Sequence, residues 1–119
     1  MANTFCHIEL GTENPRAARD FYSKLFDWKF EDTPMPQGDY TMIKTGEGPG
    51  GGLMQKQMPE APTAWLPYVQ VASVEATVER ARKLGATIVV DTKAIPSHGT
   101  LAVLLDPTGA ALGIWEPAR

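Results

Sequence analysis

The chain nearly repeats itself at a spacing of 59 residues: Thr12 answers to Val71, Leu25 to Leu84, and Asp32-Thr33 to Asp91-Thr92. A repeat of this length constrains the fold more than any other feature. Each copy must be a supersecondary unit whose apolar surface is completed by a neighbour, and positions 59 apart should be structurally equivalent.

In the first copy, Phe5 to Leu10 alternates, with Cys6, Ile8 and Leu10 on one face and Phe5, His7 and Glu9 on the other, the period of a half-buried strand. At Thr12-Glu13-Asn14-Pro15 the period changes. Asn14 suits a helix N-cap and Pro15 the first helical position, where no N–H is needed. Ala17 or Ala18, Phe21, Tyr22, Leu25 and Phe26 then recur at spacings of three and four, which predicts a helix with one apolar stripe. Strands are expected at Trp28 to Glu31, Tyr40 to Lys44 and Gly52 to Gln55. Pro34, Pro36 and Gly38 separate the first two, and Gly46 to Gly51 separates the last two.

The second copy keeps this order. A strand at Tyr68 to Val71 is followed by the N-cap Ser73, a helix carrying Val74, Val78, Ala81 and Leu84, and Gly85 as its closing residue. Strands are expected at Thr87 to Val90, Thr100 to Leu105 and Ala111 to Trp115. The last two are joined by Asp106-Pro107-Thr108-Gly109, which sets Asp, Pro and Gly where a type I turn wants them. The fold class is therefore α+β: two tandem βαβββ modules forming a curved mixed sheet around a concave cavity. The chain, 1–119, reads as one domain, with module one at about 1–57, a Pro-containing linker at about 57–64 and module two at about 65–119.

Composition narrows the partners. The 119 residues, 43% of them hydrophobic, suffice for a core shared by the two halves. A net charge of −3 and no basic run argue against nucleic acid and anionic membranes. Met1-Ala2-Asn3-Thr4 opens no secretory signal, and no apolar stretch is long enough to span a bilayer, so a soluble cytoplasmic protein is expected. The single cysteine, Cys6, has no intrachain disulfide partner and reads as a small buried hydrophobe.

The paired modules, the opening His7-x-x-Leu10 followed by Asn14-Pro-x-x-Ala-x-x-Phe-Tyr-x-x-Leu-Phe26, and the closing Asp106-Pro-x-Gly-Ala110 resemble the vicinal oxygen chelate superfamily. Its members include glyoxalase I, extradiol dioxygenases and bleomycin-type antibiotic-binding proteins. Trp65-Leu-Pro-Tyr68 together with Gly113-Ile-Trp115-Glu-Pro117 is similar to its glyoxalase-like subgroup, most of whose members have no assigned reaction.

The resemblance implies a divalent metal held by a His or Gln on the first strand of one module, a His or Glu on the first strand of the other, and a Glu on the final strand. His7 stands at the first position. Its counterpart 59 residues on is Leu66, and the position implied for the final Glu is Gly113, with Glu116 on the opposite strand parity. Glu9 shares a face with His7, but two residues of one strand seldom close around one metal, and a site normally needs three or more protein ligands. No cofactor is therefore expected. His7 and Glu9 are instead candidate catalytic residues, a pair able to exchange a proton near neutral pH or simply to share a hydrogen bond.

Parity sets Leu66, Tyr68 and Gln70 on the face matching His7, Glu9 and Gly11, and Gly113 beside Trp115. With Met54, these residues give an apolar, aromatic lining with a few polar groups, which suits an organic ligand better than a hydrated cation. The candidate ligand-binding set is thus His7, Glu9, Met54, Leu66, Tyr68, Gln70 and Trp115. Gly46, Gly48 and Gly51 form a formal GxGxxG, yet Pro49 and the lack of a following helix favour a flexible hairpin loop over a phosphate site. His98 should lie exposed in the Pro96 to Gly99 loop, and no GxSxG elbow supports a hydrolase.

These features point to a protein that binds a small organic molecule, by sequestration or an unassigned metal-free reaction, and the resemblance implies a homodimer. The competing reading is a metal-dependent lyase, isomerase or dioxygenase using His7 and Glu9. A third is a scaffold that kept the fold and lost its pocket.

Overall fold

The computed structural model describes residues 2–35 and 38–119. Met1, Pro36 and Gln37 are outside it, so the contribution of Pro36 to the break after the second strand is not among the described residues. The elements are β1 (Phe5–Thr12), α1 (Pro15–Leu25), β2 (Lys29–Thr33), β3 (Tyr40–Lys44), β4 (Gly50–Gln55), β5 (Ala64–Gln70), α2 (Val74–Lys83), β6 (Thr87–Ile95), β7 (Gly99–Leu105) and β8 (Ala111–Pro117). This is the α+β, twice-repeated βαβββ order that the sequence predicts. Both helices begin at the repeat spacing, Pro15 against Val74.

The chain divides into two units, 7–66 and 67–119 together with 1–6. In the first, the strands run β2-β3-β4-β1, with β1 parallel to β4 and the other pairs antiparallel. Asn14 caps α1 by accepting the Ala17 N–H at 3.1 Å, as its sequence position predicts. Ala18 and Tyr22 pack on Leu10, Ile43 and Leu53, and Leu53, 1% exposed, is worth about 1.5–3 kcal/mol of transfer free energy. The apolar stripe of α1 is wider than the surface it covers. Phe21, Leu25 and Phe26 are 58%, 56% and 46% exposed, because an i, i+3, i+4 pattern wraps more of the helix than one sheet contact can bury.

The second unit has the order β5-β8-β7-β6, again with one parallel pair, β5–β8. Ser73 caps α2 through the Ala76 N–H at 3.1 Å, and Gly85 takes the left-handed conformation (φ 99°) that ends it. Val74 and Val78 pack on Val71, Ala102 and Ile114. Leu84, expected on the apolar stripe, falls at the C-cap beyond the last helical turn and is 68% exposed. β6 runs to Ile95 rather than Val90, its register shifting at Asp91 and Thr92 and its pairing with β7 resuming at Lys93. The buried residues thus form two clusters, one in each unit, where composition suggested a single shared core.

Candidate functional site

In β1 the alternation that buries Leu10 beside Leu53 turns His7 and Glu9 to the sheet face away from α1. Register pairs His7 with Gly50, Glu9 with Gly52 and Gly11 with Met54, so Met54 shares that face. Gly50 and Gly51 belong to β4, and the loop before it is confined to 45–49. Their place in the strand is a packing matter: a Cβ on Gly51 would meet the Ile8 carbonyl oxygen at 2.7 Å.

The absent side chain at Gly52 admits a residue the sequence reading did not single out. The phenol of Tyr40, from the start of β3, lies against Gly52, in the volume a Cβ there would need. Its hydroxyl donates to Glu9 Oε2 at 2.8 Å and sits 2.6 Å from His7 Nε2. A phenol has one proton. With that proton given to Glu9, the oxygen accepts from His7, which places a hydrogen on Nε2. The His7 and Tyr40 rings lie 6.2 Å apart between centroids at 22°, a separation spanned by the hydrogen bond, so the two rings meet end to end rather than face to face. Burial of the half-buried His7 pushes its pKa below the ordinary imidazole value, favouring the neutral ring. The cluster is therefore a carboxylate, a phenol and an imidazole in one hydrogen-bonded row. Tyr40 lies two strands from β1 and diagonal to Gly52, whose register partner is Met42, so no local sequence signal marked it.

The other candidates are placed as follows. Leu66 is half-buried at the end of the first unit. In the second unit, register pairs Tyr68 with Gly113 and Gln70 with Trp115, while Ile114 on the other face is in the α2 core. Tyr68, Gln70 and Trp115 accordingly share the face away from α2, as parity predicts. Tyr68 is 4% exposed and its ring fills the space beside Gly113. Glu116, on the opposite parity, accepts the backbone N–H of Val74 at 3.0 Å and so belongs to the start of α2. His98 is exposed, and the Cys6 thiol, raised in pKa chiefly by burial, donates to the Tyr68 carbonyl at 3.6 Å. Among the described residues no group of three or more His, Cys, Asp or Glu side chains could hold a metal ion, and no helix is long and apolar enough to cross a membrane.

A separate cleft of about 180 Å³ opens on the α1 side of the first unit, lined by Ile8, Ile43, Trp28 and Trp65. It lies across the sheet from His7 and Glu9 and has no charged lining.

Residues 7–114 match the family model described as a glyoxalase-like domain. CFP32 of Mycobacterium tuberculosis is 32% identical over 118 residues, and the anthracycline biosynthesis protein DauV of Streptomyces sp. (strain C5) is 24% identical over 124. These matches take in 94% and 92% of this chain but 45% of each relative, so the chain spans about half the length of the curated relatives it matches. Among solved structures, hypothetical protein BH1468 of Bacillus halodurans C-125 aligns with a TM-score of 0.76 at 16% identity, covering 100% of this chain and 97% of that one. Streptomyces coelicolor methylmalonyl-CoA epimerase aligns with a TM-score of 0.71 at 13% identity, with coverage of 100% and 97%. Identities this low establish the fold alone.

Proposed function

Because the chain belongs to the glyoxalase-like domain family, we propose that it binds a small organic molecule at the sheet face carrying His7, Glu9 and Tyr40, without a tightly held metal ion. The observation that carries this reading is the Tyr40 hydroxyl, which takes up both His7 Nε2 and Glu9 Oε2. A divalent site needs three or more converging donors with a position open to substrate. The residues present do not fit one. His7 and Glu9 come from a single strand, the positions beside Glu9 and Tyr68 are glycines, and Glu116 is bonded to α2.

What the row of side chains can do is bind and hold a proton. With both of their protons engaged in the row, neutral His7 and the Tyr40 oxygen offer acceptors to a ligand hydroxyl or N–H, and Glu9 anchors the phenol. The protein then acts by sequestering its ligand or by a proton transfer to or from it, with Met54 and Leu66 as the remaining contacts to test on the first unit, and Tyr68, Gln70 and Trp115 as separate candidates on the second. The name of DauV makes planar polycyclic aromatics the first ligands to try. A homodimer belongs to the same proposal, supported by Phe21, Leu25 and Phe26 left exposed on α1; sedimentation measures it.

A thermal-shift screen tests the binding reading. A ligand that binds only the folded state at 100 times its Kd stabilises by about 2.7 kcal/mol. The expected result is a saturable rise in Tm that is reduced in His7→Ala and Glu9→Gln. A panel of planar aromatics, quinones and hydroxy-ketones that leaves Tm unchanged throughout, at soluble limits, would sink it.

A further inference from the structure

Gly52 and Gly113 hold the same place in the two units. Gly52 is paired with Glu9 and Gly113 with Tyr68, and Glu9 and Tyr68 are themselves 59 residues apart. In each unit a tyrosine ring occupies the volume that a side chain on that glycine would need, Tyr40 over Gly52 and Tyr68 over Gly113. A carboxylate projecting from either position would run into the ring.

In the first unit the tyrosine does more than fill space. Its oxygen stands 2.6 Å from His7 Nε2 and 2.8 Å from Glu9 Oε2. A first-row divalent ion held by those two atoms would sit about 2.0–2.2 Å from each. The phenol oxygen already bridges the two atoms that such an ion would have to bridge.

We propose that Tyr40, seated on Gly52, occupies the position a divalent cation would take between His7 and Glu9, and that this pair of residues makes the site one of hydrogen bonding rather than of Lewis-acid chemistry. The proposal rests on the metal-free reading above and supplies its cause. It also narrows the ligand class. A neutral phenol brings no positive charge, so the groups this site meets are uncharged carbonyls and hydroxyls with their own donors and acceptors, and not a chelating dianion. The other charged residues on this face of the unit's strands are Lys29 and Glu31 of β2 and Lys44 of β3, with Glu31 and Lys44 paired at 3.1 Å.

Removing the phenol and returning a carboxylate should create the missing site. Chelator-treated wild-type protein, the double variant Tyr40→Ala with Gly52→Glu, and that double variant carrying His7→Ala are each titrated with Ni²⁺ and Zn²⁺ by calorimetry. We expect no stoichiometric binding by the wild type, binding of one ion by the double variant, and a loss of about tenfold or more in affinity when His7 is removed. A folded double variant, shown by native circular dichroism and a cooperative melt, that binds no metal overturns the role given to Tyr40 and leaves the metal-free reading standing. Stoichiometric, His7-dependent binding by the wild type overturns both. Should the double variant not fold, Tyr40→Ala with Gly52→Asp, which supplies a shorter carboxylate, is titrated in its place. His7-dependent binding upholds the proposal, and no binding by the folded protein overturns it.

Discussion

The carboxylate of Glu116, near the end of β8, accepts the backbone N–H of Val74, the first residue of α2, at 3.0 Å. Val74 is fully buried, so this contact ties the last strand to the part of the helix that enters the core. One hydrogen bond to a charged acceptor at a helix N-terminus contributes about 1–2 kcal/mol. Glu116→Ala is therefore expected to lower the free energy of urea unfolding by about that amount while leaving ligand-induced shifts intact. An unchanged midpoint would show that the bond is replaced by water at no cost.

Gly113 is held to glycine by the buried ring of Tyr68, which a Cβ would strike at several atoms. Gly113→Ala is expected to cost about 1–3 kcal/mol as the ring or strand is displaced. Gly50→Ala is the contrast, since its Cβ would approach the Ile43 carbonyl oxygen at 3.2 Å and no side chain. Its thermal midpoint should fall less. Equal losses would mean that the general effect of altering glycine in β4 and β8 outweighs the ring contact.

Arg19 of α1 reaches both carboxylate oxygens of Asp32 at 2.7 Å, and the Thr41 hydroxyl adds a third bond at 2.7 Å. Arg19 first, then Thr41, holds the Asp32 pKa below the ordinary carboxylate value. Unfolded Asp ionises near about 3.9, so the stabilisation is complete above that pH and is lost as pH falls through the lower folded value. Because the Asp32 side chain is 48% exposed, solvent screening limits the contribution to less than about 1 kcal/mol. Asp32→Asn should be slightly less stable than wild type at neutral pH, with the gap closing as acidification passes below the unfolded value. A gap that persists in acid would assign the loss to the Thr41 bond rather than to charge.

Lys56 secures the segment between the modules. Its ammonium, on a side chain only 9% exposed, donates to the carbonyls of Ala61 at 2.6 Å and Pro59 at 3.3 Å and lies 3.3 Å from Glu13. Lys56→Met keeps the aliphatic stem and removes the donors. It should cost about 1–3 kcal/mol and speed proteolysis between residues 57 and 64. Cleavage at the wild-type rate would show that the segment is held by its prolines instead.

Much of the fold was legible because its signals are local. Asn14-Pro15 and Ser73 fix where the helices start, Gly85 fixes where one stops, and alternation in β1 already put His7 and Glu9 together on one face. The reading failed where an outcome depends on the breadth of a packed surface. Nothing in the pattern of α1 separates Tyr22, which packs on the core, from Phe21, which does not. The glycines at 50 and 51 read as loop residues, because their fitness for a strand lies in the close approach of neighbouring backbone.

The 59-residue repeat by itself determined the βαβββ order of each half and located Leu66 as the counterpart of His7 in place of a second polar side chain. It could not find Tyr40. That residue is 33 positions from His7 and 12 from Gly52, and the three meet only because β3, β4 and β1 lie side by side in the first unit. A hydrogen bond of 2.6 Å and the space left by a missing Cβ are properties of that assembled sheet, so only the tertiary structure decided what partners His7 and Glu9.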